Sequence, residues 1–144
     1  MTRVPFPEKY IRHGEFLLHS GAKSDIFYDV NSMLTDDLYL SHILRAIPMN
    51  EHYVGIVTGG ALLAMACHVK YPYSKLSLIR DGKLMGDRPE NIWYLIDDVV
   101  TTGKSLLEAI SIVGTEPKKT IVAIDRREKN EKPEVISIFQ PLSS

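Results

Sequence analysis

Tyr53–Val57 (YVGIV) is apolar without a break. A strand with one face in water alternates apolar and polar residues, so an unbroken run suits a strand buried on both faces. Thr58, Gly59 and Gly60 follow at once, and ALLAMACHV (61–69) then has the character of a helix. The same order returns downstream. IWYLID runs as a strand into the turn DDVVTTGKS, and SLLEAISIV is a helix that Gly114 can terminate. Further strands are predicted over Lys75–Arg80, Thr120–Asp125 and the segment EVISIF. Alternating strands and helices predict an α/β fold, a mainly parallel central sheet flanked by helices, with right-handed crossovers. Ligands of such sheets bind beyond the carboxyl ends of the strands. Three turns lie there: TGG, DDVVTTGKS and DRRE.

The flanks are less regular. A short helix is expected near Pro7–Arg12, then two short strands, Phe16–His19 and Ile26–Val30, around the turn SGAKSD. Thr35 and Asp36 suit the N-cap of a helix over DLYLSHILRAI. Asp81–Asn91 carries two glycines, a proline and five charges and is expected to be a mobile surface loop. The 144 residues suffice for one domain with a real core, and no linker-like stretch divides them, so a single domain over 1–144 is expected. A net charge of −1 gives no global pull toward nucleic acid or membrane. The longest apolar stretches are too short to span a bilayer, and MTRVPFPEKY lacks the apolar core of a signal peptide. A cytoplasmic location is the expectation. The single cysteine, Cys67, excludes an internal disulfide and, in an apolar helical pattern, reads as a buried, inert thiol.

The chemistry concentrates in Asp97–Ser105. Burying charge without a partner is costly, so packing is a poor explanation for adjacent carboxylates at the end of an apolar strand. Thr101, Thr102 and Ser105 offer hydroxyls, and Gly103 allows a tight turn and close ligand approach. Backbone N–H groups that open a helix form an anion cradle, so phosphate is the expected guest. Asp97 and Asp98 suit sugar hydroxyls or a metal carried with the phosphate, and a ribose 5-phosphate meets both demands. The spacing is not that of a Walker P-loop, since the upstream glycine is missing.

YLIDDVVTTGKS resembles the phosphoribosyl-diphosphate-binding motif of the type I phosphoribosyltransferases. HGEFLLHSGAKSDIFYDV resembles the N-terminal hood of the orotate phosphoribosyltransferases, VGIVTGGALLA their diphosphate loop, and IDRRE a segment whose arginine contacts orotate. The resemblance spans about Gly14 to Glu128 in the family's order. It implies a hood formed by residues 1–34 and a core over about 35–140. It implies that Asp97, Asp98 and Lys83 are the catalytic residues, with the two aspartates contacting the ribose hydroxyls. Thr101, Thr102, Gly103, Lys104 and Ser105 would hold the 5-phosphate. Thr58, Gly59, Gly60, Arg80 and Arg88 would meet the diphosphate, and His19, Phe27, Tyr28 and Arg126 the base. An arginine fork suits the carboxylate of orotate. Mg2+ is implied as the cofactor, carried by diphosphate and ribose near Asp97 and Asp98, with no direct protein ligand. Phosphoribosyl diphosphate and orotate are the implied partners, in a homodimer.

Three features depart from the family's pattern. His19 stands where lysine is usual in the hood. The loop RDGKLMGDRPEN is short, with Asp81 in place of a lysine, Lys83 displaced by one position and no histidine, so Lys83 and Arg88 are the substitutes at hand. The chain also stops soon after EVISIF, short of the family's usual C-terminal length. Two other readings stay open: a non-catalytic protein that senses phosphoribosyl diphosphate or a nucleotide, and a phosphoribosyltransferase for a purine or another base.

Overall fold

A computed structural model describes residues 3–18, 21–128 and 131–142. Its main sheet has seven strands: β1 (Val4–Pro5), β4 (His52–Ile56), β5 (Lys75–Arg80), β6 (Lys83–Met85), β7 (Trp93–Val100), β8 (Lys119–Asp125) and β9 (Ile136–Gln140). Their spatial order is β1-β9-β8-β7-β4-β5-β6, parallel throughout except for the edge strand β6. A separate antiparallel pair, β2 (Ile11–Leu17) and β3 (Lys23–Tyr28), forms the hood. The helices are α1 (Val30–Met33), α2 (Asp37–Arg45), α3 (Gly59–Lys70) and α4 (Lys104–Val113).

Chain direction within the sheet sets the site. From β4 the chain passes through α3 to β5 on one side, and from β7 through α4 to β8 on the other. The order therefore reverses between β4 and β7, which are paired from His52↔Trp93 to Gly55↔Ile96. A crevice opens at such a reversal, beyond the carboxyl ends of the two strands. The helices cover opposite faces. Leu63, Ala64 and Cys67 of α3 pack with Tyr53, Tyr94, Ile96, Ile121 and the hood-side residues Phe6, Tyr28 and Met33. Leu106, Ala109 and Val113 of α4 pack with Val54, Trp93, Leu95 and Val122. Both faces of β4 and β7 are thus apolar, which is why YVGIV and WYLI show no alternation. Fully burying one such side chain stabilises the fold by about 1.5–3 kcal/mol. Cys67 is fully buried, and that burial pushes its thiol up to about 12.

Ends are fixed locally. Asp36 caps α2 by accepting from the Leu38 N–H at 3.1 Å, an arrangement worth about 1 kcal/mol. Gly114 ends α4 in the left-handed region at φ 92°, its N–H bonded to the Ile110 carbonyl at 2.9 Å.

Four expectations are corrected. The segment near Pro7–Arg12 forms only a 3-10 turn at Glu8–Tyr10, and Ile11 and Arg12 already belong to β2. The strand pair starts earlier than the sequence suggested, and Val30 opens α1 instead of closing a strand. The first 34 residues do not all form the hood, because Val4 and Pro5 pair with Phe139 and Gln140 at the edge of the main sheet. Asp81–Asn91 is not one open loop, because Lys83–Met85 returns antiparallel to β5. Asp81 and Gly82, at φ 50° and 75°, make the tight turn between them. Both central residues at positive φ suit a two-residue hairpin whose twist matches the strands.

Candidate functional site

The acidic pair lies in β7 itself. The strand continues through both aspartates to Val100, with Asp97 opposite Val122 and Val99 opposite Ile124 on β8. Asp97 is only 7% exposed. Its Oδ1 accepts the Asp98 N–H at 2.9 Å, and Asp98 Oδ1 accepts the Val99 N–H at 2.8 Å. Burial pushes the Asp97 carboxyl well above the ordinary carboxylate value of 3.8, and the neighbouring Asp98 charge pushes the same way. Ionised, the pair is a concentrated negative charge in a site that solvates it poorly.

Across the switch point stands the TGG turn. The Val57–Thr58 peptide bond is cis, and Thr58 is the N-cap of α3 without a side-chain capping bond. Gly59 and Gly60 are buried because the TGG turn lies against the end of β7. A methyl group on Gly59 would collide with the Asp98 carboxylate, and one on Gly60 with the Ile96 carbonyl. Asp98 thereby sits at the N-terminus of α3, where the helix dipole favours negative charge. The glycines proposed for main-chain contact to a diphosphate are also the residues whose lack of a side chain lets α3 approach the aspartates.

The threonine turn is built differently. Gly103 caps α4 at φ 88° and contributes no side-chain cap. The Lys104 N–H reaches Thr102 Oγ1 at 3.3 Å. Thr101 is half-buried, while Thr102, Lys104 and Ser105 are exposed around the first turn of the helix. An exposed helix N-terminus with hydroxyls beside it has the character of an anion cradle.

Arg80 and Lys83 face each other across the β5–β6 hairpin, at the carboxyl edge of β5 beside the TGG turn. Arg80 lies 3.7 Å from Asp81, with both side chains largely exposed. Arg88 is elsewhere. It donates to the Ile112 carbonyl at 2.7 Å and to the Val113 carbonyl, capping the end of α4 remote from the threonine turn. The expectation of Arg88 at the diphosphate is corrected on that ground: its guanidinium is engaged at the wrong end of the helix.

The base-binding candidates divide. Arg126 leaves β8 with its N–H on the Val100 carbonyl at 2.9 Å. Its guanidinium donates to the Ile26 carbonyl at 3.2 Å and Ser24 Oγ at 2.9 Å, and lies 5.0 Å from the Tyr28 ring centroid. Arg126 therefore ties hood to core. The Tyr28 ring is 4% exposed, packs edge-on against Phe6 and accepts the Leu142 N–H at 3.1 Å through its hydroxyl. The Phe27 ring is stacked on Phe16 at 5.5 Å and is not brought to Arg126. His19 lies outside the described residues. Sequence reasoning missed Ser24, the Arg126 partner, and the pair Asp125–Arg127. Arg127 has a side chain only 4% exposed and in ion-pair contact with Asp125 at 2.9 Å. The available signal for it was an arginine two residues past a strand-end aspartate.

Among the described residues no group of three or more His, Cys, Asp and Glu is arranged to hold a metal ion. Two adjacent carboxylates are nevertheless the hard oxygen donors that suit Mg2+, which commonly takes one or two carboxylates and completes its shell with substrate phosphates and water.

No family model matches the chain. It is 29% identical over 137 residues to the orotate phosphoribosyltransferase of Methanopyrus kandleri, covering 85% of this chain and 74% of the relative. It is 33% identical over 135 residues to the same-named protein of Methanosarcina acetivorans, covering 82% and 72%. The crystal structure of orotate phosphoribosyltransferase from Aeropyrum pernix superimposes with a TM-score of 0.76 at 23% identity, over 92% of this chain and 89% of that one. The fold is that of the type I phosphoribosyltransferases. Within that class, the chain belongs to the orotate phosphoribosyltransferase family.

Proposed function

We propose that the protein transfers a phosphoribosyl group from phosphoribosyl diphosphate to orotate, giving orotidine 5-phosphate and diphosphate. The observation that carries this is the convergence of the acidic pair and two uncapped helix N-termini on one switch point. Anion cradles on two strands and carboxylates between them suit a sugar with a phosphate at each end.

In the reaction the anomeric C–O bond to diphosphate breaks and a C–N bond to the base forms, the base nitrogen losing its proton. Positive charge develops on the sugar as the leaving group departs, so fixed negative charge nearby lowers the barrier. Asp97 and Asp98 accept hydrogen bonds from the ribose hydroxyls and provide that charge. The segment Thr101–Ser105 holds the 5-phosphate through main-chain N–H groups and hydroxyls. Thr58, Gly59 and Gly60 offer main-chain N–H groups to the diphosphate, with Arg80 and Lys83 supplying positive charge from the hairpin. Bound Mg2+ would neutralise diphosphate charge, with Asp97 and Asp98 as its nearest protein donors. Arg126 keeps N–H groups beyond the two engaged by the hood, and these suit the orotate carboxylate. The family resemblance implies a homodimer. Leu62, Met65 and Val69, at 48%, 44% and 77% exposure, line one face of α3 and suit such an interface. No helix among the described residues is long and apolar enough to cross a membrane, and a cytoplasmic location is proposed.

The test is to mix the protein with Mg2+, phosphoribosyl diphosphate and orotate and follow the orotate absorbance. Turnover is expected. Tight binding of phosphoribosyl diphosphate without turnover on orotate or a purine would favour a sensor. One feature favours that second reading: the loop after β5 is short for the family, and its residues Lys83–Met85 are held in a hairpin with β5.

A further inference from the structure

The geometry points to Arg127 as a positioning residue for the turn that takes the sugar phosphate, an inference that rests on the reading of residues 101–105 given above. Arg127 follows the arginine assigned to the base, yet its surroundings are different. Its Nε and Nη2 meet Asp125 Oδ1 and Oδ2 at 2.9 and 3.1 Å, a two-point fork, and its own N–H also reaches Asp125 Oδ1 at 3.0 Å. Nη2 donates to the Pro133 carbonyl at 3.0 Å and Nη1 to the Glu131 carbonyl at 3.4 Å. The side chain is 4% exposed.

Gly103 rests on this assembly. A methyl group at Gly103 would stand 3.1 Å from Arg127 Nη1 and 3.2 Å from Pro133 Cδ. Gly103 is the left-handed residue at which the chain swings from the turn into α4. The guanidinium therefore backs the pivot of the proposed phosphate cradle, while Lys104 beside it is exposed. The connection from β8 to β9 explains the need. Parallel strands usually require a crossover of a dozen or more residues, commonly a helix. Here the described part of the 126–135 connection contains none. Arg127 draws the Glu131 and Pro133 carbonyls inward, and its guanidinium with Lys132 and Pro133 forms the wall behind Gly103. Desolvating an ion pair is seldom the cheapest route to stability, and a lysine cannot reproduce the fork. Its planar donors fix the spacing between β8, the connection and the turn, and its charge lies close to where a phosphate dianion enters.

Calorimetry with ribose 5-phosphate and steady-state kinetics with phosphoribosyl diphosphate test this on the full chain. Arg127→Gln is expected to weaken ribose 5-phosphate binding and raise KM for phosphoribosyl diphosphate about tenfold, with kcat at saturation changing by less than about threefold. Arg127→Lys is expected to recover only part of the loss. A strut that only holds the fold would lower Tm and leave the KM to kcat balance alone. Unchanged affinity and KM in Arg127→Gln, or a fall in kcat alone, overturns the inference. If that variant does not fold, the native protein still decides. The Arg127 Nε–H resonance must move during a ribose 5-phosphate titration and saturate with the calorimetric Kd, and a resonance that stays fixed overturns the inference. Wild-type protein that takes up no ribose 5-phosphate sinks the phosphate-site reading and this inference with it. Wild type that binds beside an Arg127→Gln that binds equally well sinks the inference alone.

Discussion

Asp97 costs the fold stability at neutral pH. Its carboxyl is buried beside Asp98, and burial is the larger cause of its raised pKa. A raised folded-state value means the native state holds the proton longer than the unfolded chain does. The contribution to stability is present below about 3.8 and is lost as pH rises through the folded value. At pH 8 the group is therefore a burden. Asp97→Asn keeps an Oδ1 acceptor for the Asp98 N–H and removes the charge. It is expected to melt higher than wild type at pH 8, the gain shrinking toward pH 4, while activity falls by about 10²–10³-fold. Thermal melts across pH, paired with the orotate assay, check both. A lower Tm at pH 8 would show that the ionised carboxylate stabilises the fold. Surviving activity in both Asp97→Asn and Asp98→Asn would displace the ribose site. The adjacent carboxylates were legible in the sequence because an apolar strand rarely ends in unpaired acid for structural reasons. The fork between Asp125 and Arg127 was not, because its value lies in what it touches across the fold.

Single elements show where sequence patterns carry information and where they stop. β4 and β7 were readable because both faces are covered, which leaves runs with no polar interruption. β2 and β3 were readable as a pair but not in their bounds, since most of their residues are exposed and the register shifts between His13 and Phe16. Alternation separates Phe27 from Tyr28, yet it cannot say which ring enters the core. The hairpin at Asp81–Gly82 had a readable signal, Asp-Gly between strand-like segments, which the surrounding charge obscured. Arg88 had no local signal, because its carbonyl partners lie on α4, 24 and 25 residues onward. That difference makes a test of the loop residues. Arg88→Ala is expected to lower stability by about 1 kcal/mol through the lost helix-end bonds and to leave KM for phosphoribosyl diphosphate unchanged. Lys83→Ala is expected to do the reverse, raising KM several-fold with Tm unchanged, since Lys83 is exposed at the carboxyl edge of the sheet. Denaturant melts and steady-state kinetics on the two variants separate them. A raised KM in Arg88→Ala alone would return that residue to the diphosphate.

The whole molecule places its chemistry at the reversal between β4 and β7, and the helix that starts there also carries an exposed apolar face. α3 begins at Gly59 against Asp98 and exposes Leu62, Met65 and Val69 about one, two and three turns further on. Those positions recur at helical spacing, so they form one stripe instead of scattered surface residues. Covering a large apolar side chain contributes about 1.5–3 kcal/mol at most. The same stripe on two copies therefore offers a large fraction of the roughly 4–15 kcal/mol that association costs. A dimer on this stripe would also brace the first turn of α3, linking assembly to the diphosphate turn. Light scattering is expected to give a dimer. Val69→Asp, more than two turns from Gly59, should shift it toward monomer while leaving the circular dichroism spectrum intact. Activity per protomer should then fall on dilution in the variant and hold steady in wild type. A fully active monomeric Val69→Asp protein would show that each chain completes its own site, and a dimer that survives the substitution would move the interface to another face.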